Sequence, residues 1–395
     1  MDMGKRFYSR CADAWARALA SIPPVPEPSV YAVEQGVVLP LLKRTDGGKN
    51  ANIYEGGVCR PGWAFAAGIQ RKRRAVNYNF SCVRGYVPQQ TVMCRDERVV
   101  FGGVIYGHFG HQIIDGFTRL WHFARHHNEG LKYVFVLQPG ANPWHAQAFF
   151  ELAGLDNYEI ITTPTRFREV VCPEEAFFSG GGCNPVWLEW FDHIAANVGA
   201  GENLPDKIYL TRTQWKANDG VGEEYFEEFF KNQGYTVVAP ETLPLAEQVR
   251  HIAHASHIAC TMGTMAHLLA FALPDADVTI LLRSPSSIMP AQLNICEVRG
   301  IDWRMIDATA NPLPTGQSNG MFFYWPTRQF YRWCKENGLS ALTPRRIGMD
   351  EEENLALYLS RWTERFSDPA NFKCIESRTA RDFVDSLRTF FEGAW

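Results

Sequence analysis

The stretch VVFGGVIYGHFGHQIIDGFTRLWHFARHH, residues 99–127, decides how this chain is read. It opens on an apolar run, Val99 to Tyr106, that reads as a buried strand. A glycine-flanked turn follows, and then a predicted helix over 111–127. On a wheel of about 100° per residue, Ile113, Ile114, Phe117, Leu120, Trp121 and Ala124 share one side. His111, Asp115, Thr118, Arg119, His122 and His126 share the other. The apolar side is a core face. The polar side has two readings, a solvated face or a functional cluster placed just past the end of a strand, where open α/β sheets bind their ligands. His108 and His111 sit among the glycines of the turn, at the start of a helix whose free N–H groups carry partial positive charge. A carboxylate one turn in, with a histidine four residues before it, is a candidate general base.

Working outward, strand and helix signals alternate. Strands are predicted at 132–139 and 158–164 around a helix at 143–155, which implies a parallel sheet. The glycine-rich 179–185 reads as a flexible loop. Small polar residues at 195–206 mark a linker. A second alternating run begins at once, with strands at 207–212, 235–240, 257–262 and 277–283. Helices are predicted between them at 222–234, 243–255 and 263–273. Neither run carries G-x-G-x-x-G after its first strand, which argues against a dinucleotide dehydrogenase. The junction Thr261-Met262-Gly263-Thr264 joins a strand to a helix N-terminus, a geometry that binds phosphate through N–H groups. Thr264 and His267 could add donors. Arg212, at the end of the first strand of this half, could neutralise a diphosphate.

The remainder is bounded by composition. The chain has 395 residues, a length that suggests two domains, with 46% apolar and 21% charged residues. A net charge of −4 argues against nucleic-acid binding. The ten cysteines form no C-x-x-C pair, so they read as reduced thiols of a cytoplasmic protein. There is no run of 18 apolar residues and no signal-peptide core near the first residue, so no membrane span is expected; peripheral contact with an inner membrane stays open. Residues 1–26 read as a short amphipathic docking helix before a proline-rich stretch. Arg71, Lys72, Arg73 and Arg74 read as an exposed loop. From Ile301 an aromatic segment leads into helical periods at 350–366 and 378–393.

In their order and spacing these motifs resemble glycosyltransferase family 61. The family's first domain carries a strand followed by H-x-x-H-x-x-x-[E/D], which stands here as His108-Phe109-Gly110-His111-Gln112-Ile113-Ile114-Asp115, then Thr118-Arg119-Leu120. Its second domain opens on a strand ending in Ser-Arg or Thr-Arg, here Ile208-Tyr209-Leu210-Thr211-Arg212. An acidic helix start (Glu223, Glu224), Pro240-Glu241 and Glu247-Gln248 follow, and then the loop Thr261-Met262-Gly263-Thr264-Met265-Ala266-His267. The loop keeps one glycine where the family has more, and Lys216 stands where a second arginine is expected.

The resemblance implies an α/β protein of GT-B architecture, two Rossmann-like domains facing a central crevice, with boundaries at 1–196 and 197–300 and a helical tail over 301–395 packing across them. It implies inverting transfer from a nucleotide diphosphate sugar, expected to be UDP-linked, to a hydroxyl of a glycan or lipid-linked saccharide of a surface polysaccharide, with no cofactor and no metal. Asp115 is the expected base, with His111 as partner or alternative and His108 beside them. Arg212, Met262, Gly263, Thr264, His267 and Gln248 are the expected donor-binding set. A metal-dependent hydrolase built on His108, His111, Asp115 and His122 is one alternative. A non-catalytic nucleotide-binding relative is another.

Overall fold

The computed structural model describes residues 6–43, 53–64, 81–178, 181–215, 220–315 and 320–372, together with Leu387. The basic run at 71–74, Lys216, the first two residues of the glycine-rich stretch, and all of the 378–393 period except Leu387 lie outside the described residues. The chain forms two compact units. One is Ile22–Gly199; the other joins Met1–Ser21 to Ala200–Trp395.

A short strand β1 (Phe7–Tyr8) and helix α1 (Ala12–Ala20) come first and belong to the second unit. The unit from Ile22 then begins with strands β2 (Val30–Glu34), β3 (Val37–Lys43), β4 (Ile53–Cys59) and β5 (Ser81–Arg84). The long strand β6 (Met93–Ile105) follows. After it come a single turn α2 (Phe109–His111), a π-helical turn at Gln112–Gly116, and α3 (Trp121–His126). The unit continues through β7 (Tyr133–Leu137), α4 (Trp144–Ala153), β8 (Tyr158–Ile160), β9 (Thr165–Pro173) and α5 (Leu188–Val198).

These strands make one sheet in the order β5-β4-β3-β9-β6-β7-β8, with β2 also on β9. The pairs β6–β7, β7–β8 and β6–β9 are parallel. The chain therefore steps outward from β6 to β8 and then returns to the other flank of β6. That reversal makes the carboxyl ends of β6 and β9 a topological switch point, where open sheets leave a crevice. The helices bury their apolar stripes beside it. In α4 these are Ala146, Phe149, Phe150 and Ala153, at i, i+3, i+4 and i+7. Phe117 packs on Phe149 at 5.0 Å and on Trp190 of α5 at 5.5 Å between ring centroids.

The expected single helix over 111–127 is not formed. Its first part is a π turn, which breaks the 100° wheel, and most of its polar side is not solvated. Asp115, Thr118, Arg119 and His122 are all buried. The central strand β9 is absent from the sequence reading, although Val170, Val171 and Cys172 in it are an apolar run of the kind parallel strands carry.

The second unit runs through β10 (Lys207–Leu210), β11 (Gly220–Val221), α6 (Glu224–Asn232), β12 (Thr236–Val238), α7 (Leu245–His254) and β13 (His257–Thr261). A 3₁₀ helix at Thr264–Phe271 replaces the expected α-helix. Then come β14 (Asp277–Leu282), α8 (Pro290–Arg299), β15 (Asp302–Asp307), β16 (Phe322–Phe323), α9 (Arg328–Glu336) and α10 (Glu351–Phe366).

The main sheet of this unit is ordered β1-β15-β14-β13-β10-β12, with every neighbour parallel. Here β10 pairs β12 on one side and β13 on the other, so its carboxyl end is again a switch point. Two expectations need correction. Residues 301–395 are not a helical tail alone, because β15 is an interior strand of this sheet. Residues 1–21 do not belong with the segment that follows them. β1 pairs with β15, and Trp15 of α1 is buried with its Nε1 donating to the Pro285 carbonyl at 2.7 Å.

Candidate active site

At the switch point of the first unit, β6 delivers the chain to His108. The His108 ring caps α2 by accepting the His111 N–H at 3.4 Å, and the two rings lie 5.1 Å apart. The π turn then turns Asp115 back under His111. Asp115 Oδ2 lies 2.7 Å from His111 Nδ1. The carboxylate side chain is 1% exposed and the imidazole 31%. Two features hold this turn. Gln112 is buried and its Oε1 accepts the Tyr106 N–H at 2.7 Å. Gly116 lies so close under the Gln112 side chain that a Cβ there would collide with it.

An ionised Asp115 accepts from Nδ1–H, so the tautomer it selects leaves Nε2 as the basic nitrogen. Burial and the neighbouring His111 hold the His108 pKa below its ordinary value. His145, at the start of α4, is a residue the sequence reading missed. Its pKa is pushed down to about 4 by burial and by His108, and its ring packs on Phe109 at 5.1 Å.

The other polar residues of the stripe are used elsewhere. Arg119 donates to the Pro173 carbonyl and to Glu175 Oε1 at 3.3 Å, tying the helix to the end of β9. His122 Nδ1 lies 2.7 Å from Tyr133 OH. His126 pairs with Glu129 at 2.6 Å. Among the described residues no three His, Cys, Asp or Glu side chains converge as they would to hold a metal.

At the switch point of the second unit, Arg212 follows β10. Its N–H donates to Glu223 Oε1 at 3.2 Å. Gly263 follows β13 with φ +135°, a backbone that side-chained residues rarely adopt. A Cβ there would meet the guanidinium of Arg283. Arg283, which follows β14, is buried and lies over the Phe322 ring at 4.7 Å. The sequence reading missed it, although LLR ends its strand as LTR ends the strand of Arg212. Thr264 opens the 3₁₀ helix at this end of the sheet, where first-turn N–H groups lack helical partners.

Met262 is buried and its N–H bonds the Leu281 carbonyl at 2.8 Å. His267 and Gln248 are each held by a neighbouring polar group. His267 is buried with Nδ1 at 3.0 Å from Gln292 Oε1 of α8, and Gln248 Nε2 donates to the Leu243 carbonyl at 3.0 Å.

No helix among the described residues is long and apolar enough to cross a membrane. Two solved structures are similar in part. One is the dodecameric iron-containing heptosyltransferase TibC in complex with ADP-D-β-D-heptose, at 13% identity and TM-score 0.28, covering 68% of this chain and 83% of that one. The other is TibC from enterotoxigenic E. coli H10407, at 13% identity and TM-score 0.29, covering 68% and 82%. The iron, the heptose donor and the dodecamer are TibC's. No curated protein gives a significant match. The family model described as Glycosyltransferase 61 matches residues 109–279, a span that holds His111, Asp115, Arg212 and Gly263. Over that span, from the first residue of α2 into β14, the chain is similar to glycosyltransferase family 61.

Proposed function

We propose that this protein is an inverting glycosyltransferase that moves a sugar from a nucleotide diphosphate sugar, UDP-linked by preference, to a hydroxyl of a glycan or lipid-linked saccharide. The two doubly wound units serve as the acceptor and donor halves of a GT-B enzyme. The observation that carries the chemistry is the His111–Asp115 pair. Asp115 is too buried to meet an acceptor, and His111 is not. His111 is therefore the base, and Asp115 orients it and stabilises the imidazolium, reversing the order of preference drawn from sequence.

In one step, His111 Nε2 takes the proton of the acceptor hydroxyl while that oxygen attacks the anomeric carbon. The bond from this carbon to the diphosphate oxygen breaks on the opposite face, and the nucleoside diphosphate leaves with the electron pair. Arg212 and the N–H groups at Gly263 and Thr264 take up its negative charge. No step uses a metal. Arg283 supports this site by packing on Gly263.

The test has two parts. Thermal unfolding is followed with UDP, GDP, CDP, dTDP, ADP and NAD, each with and without a chelator. A ligand at about 100 times its dissociation constant stabilises by roughly 2.7 kcal/mol. One nucleoside diphosphate should stabilise the protein, unchanged by chelator, and Arg212→Ala should lose the effect. With that donor, His111→Ala should lower transfer by about 10²–10⁴-fold. Undiminished transfer by His111→Ala would remove it as the base. A chelator effect without any nucleotide effect would favour a metal enzyme.

A further inference from the structure

The turn that carries Arg212 is braced by two carboxylates at the start of α6, four residues apart. Glu227 Oε1 accepts from Thr211 Oγ1 at 2.6 Å and from Thr213 Oγ1 at 2.5 Å. Glu223 Oε1 accepts the Arg212 N–H at 3.2 Å and the Tyr209 hydroxyl at 3.1 Å. Each of the three residues Thr211, Arg212 and Thr213 is thus tied to one helix face.

Glu223 is unlike Glu227 in one respect. It is 1% exposed, and its Oε2 is buried with no hydrogen-bond partner among the described residues. Tyr209 of β10, Cys260 of β13, Glu227 of α6 and Tyr324 after β16 face it, with Arg212 the cation acting on it. The Arg212 charge also acts on Glu241. An ionised carboxylate with one oxygen stripped of every donor is unfavourable in such surroundings. The neutral acid keeps both bonds to Oε1 and places its proton on Oε2.

We propose that Glu223 is a positioning residue of the donor site and works as the neutral carboxylic acid, fixing Arg212 while leaving that guanidinium's charge to the anion of the ligand. The inference rests on the reading of Arg212 as a diphosphate binder. Burial pushes the Glu223 pKa up to about 7, with Arg212 as the main opposing pull. Above neutrality a negative charge then develops beside Arg212, offsets it from within and repels the incoming anion. Ionisation of a phosphate over the same range acts in the opposite direction, by strengthening its attraction to a guanidinium.

The test is calorimetric titration of the full chain with UDP and with inorganic pyrophosphate, from pH 6 to pH 8.5. Wild-type affinity should fall by roughly fivefold or more across that range. Glu223→Gln keeps a carbonyl for the Tyr209 and Arg212 bonds and cannot ionise. It should bind at pH 8.5 as the wild type does at pH 6. Glu223→Ala should bind weakly throughout. Affinity that rises with pH in the wild type, or a Gln variant as weak as the Ala variant, would overturn the proposal.

Thermal unfolding without ligand separates the two layers of inference. Glu223→Gln should gain on the wild type as pH rises from 5 to 7.5, because the unfolded glutamate ionises before the folded one. Overlapping curves would sink the neutral-acid assignment alone. A clear gain with neither probe binding at any pH would sink the donor-site reading, and the role of Glu223 in it.

Discussion

At the scale of single residues, what distinguishes the histidines here is what stands behind each ring. His111 has a buried carboxylate behind it and is itself partly exposed, which is why it is the proposed base. His122 is buried against Tyr133, and burial with His126 nearby depresses its pKa to about 4. The folded state therefore keeps His122 neutral at a pH where an unfolded chain, with an ordinary pKa near 6.5, takes up a proton. The stabilisation is complete above about pH 6.5 and is lost as pH falls toward 4. His122 alone should account for up to about 3 kcal/mol of acid destabilisation. His122→Gln should flatten the fall in unfolding free energy between pH 6.5 and 4.5, measured by urea denaturation. An unchanged slope would show that the ring is not held neutral. From sequence, His111 and His122 stood on one helical stripe, separated only by the position of His111 at the glycine-flanked turn and in the family motif; in the structure, burial and partner choice separate them.

At the scale of elements, the informative departure is the π turn at Gln112–Gly116. Wide turns of this kind often mark functional sites. Here the turn brings Asp115 under His111 and lets the Gln112 amide reach back to the end of β6. Gly116 is the residue that makes room for it. Helix propensity by itself favours alanine over glycine by about 1 kcal/mol. Overpacking against Gln112 opposes this by about 1–3 kcal/mol. Gly116→Ala should therefore lower stability by a net of up to ~2 kcal/mol in chemical denaturation, with transfer activity falling alongside. A more stable variant would mean that Gln112 packing does not set the turn. The 3₁₀ helix at Thr264–Phe271 is a second departure of the same kind. Apolar periodicity announces that a helix is present, but choosing α, π or 3₁₀ depends on the contacts at each end.

At the scale of the whole molecule, the chain crosses between its two units. Residues 1–21 complete the unit made by residues 200–395. β1 extends that unit's sheet beyond β15, and Trp15 fills a buried site beside Pro285. Removing a buried tryptophan side chain costs about 3–5 kcal/mol. In scanning calorimetry, Trp15→Ala should lower the unfolding transition of the 200–395 unit and leave that of the 22–199 unit in place. A shift confined to the 22–199 unit would contradict this assignment. The acidic start of α6 shows a related long-range effect. Glu223 and Glu227 look like ordinary first-turn acids in sequence, which favour a helix N-terminus. Only packing against β10 turns them into braces for Arg212.

The sequence by itself determined the two runs of alternating strand and helix, because strand and helix impose different hydrophobic periods on neighbouring residues. It also placed Arg212, Gly263, His108, His111 and Asp115 in strand-to-helix junctions, since those junctions are local in the chain. Tertiary structure decided what is not local. It set β9 beside β6 and β15 beside β1, buried Asp115 while leaving His111 accessible, and added Arg283 to the Gly263 turn. Pairing partners, burial and proton affinity depend on residues tens to hundreds of positions away. A pattern read along the chain holds no record of which distant segment will cover it.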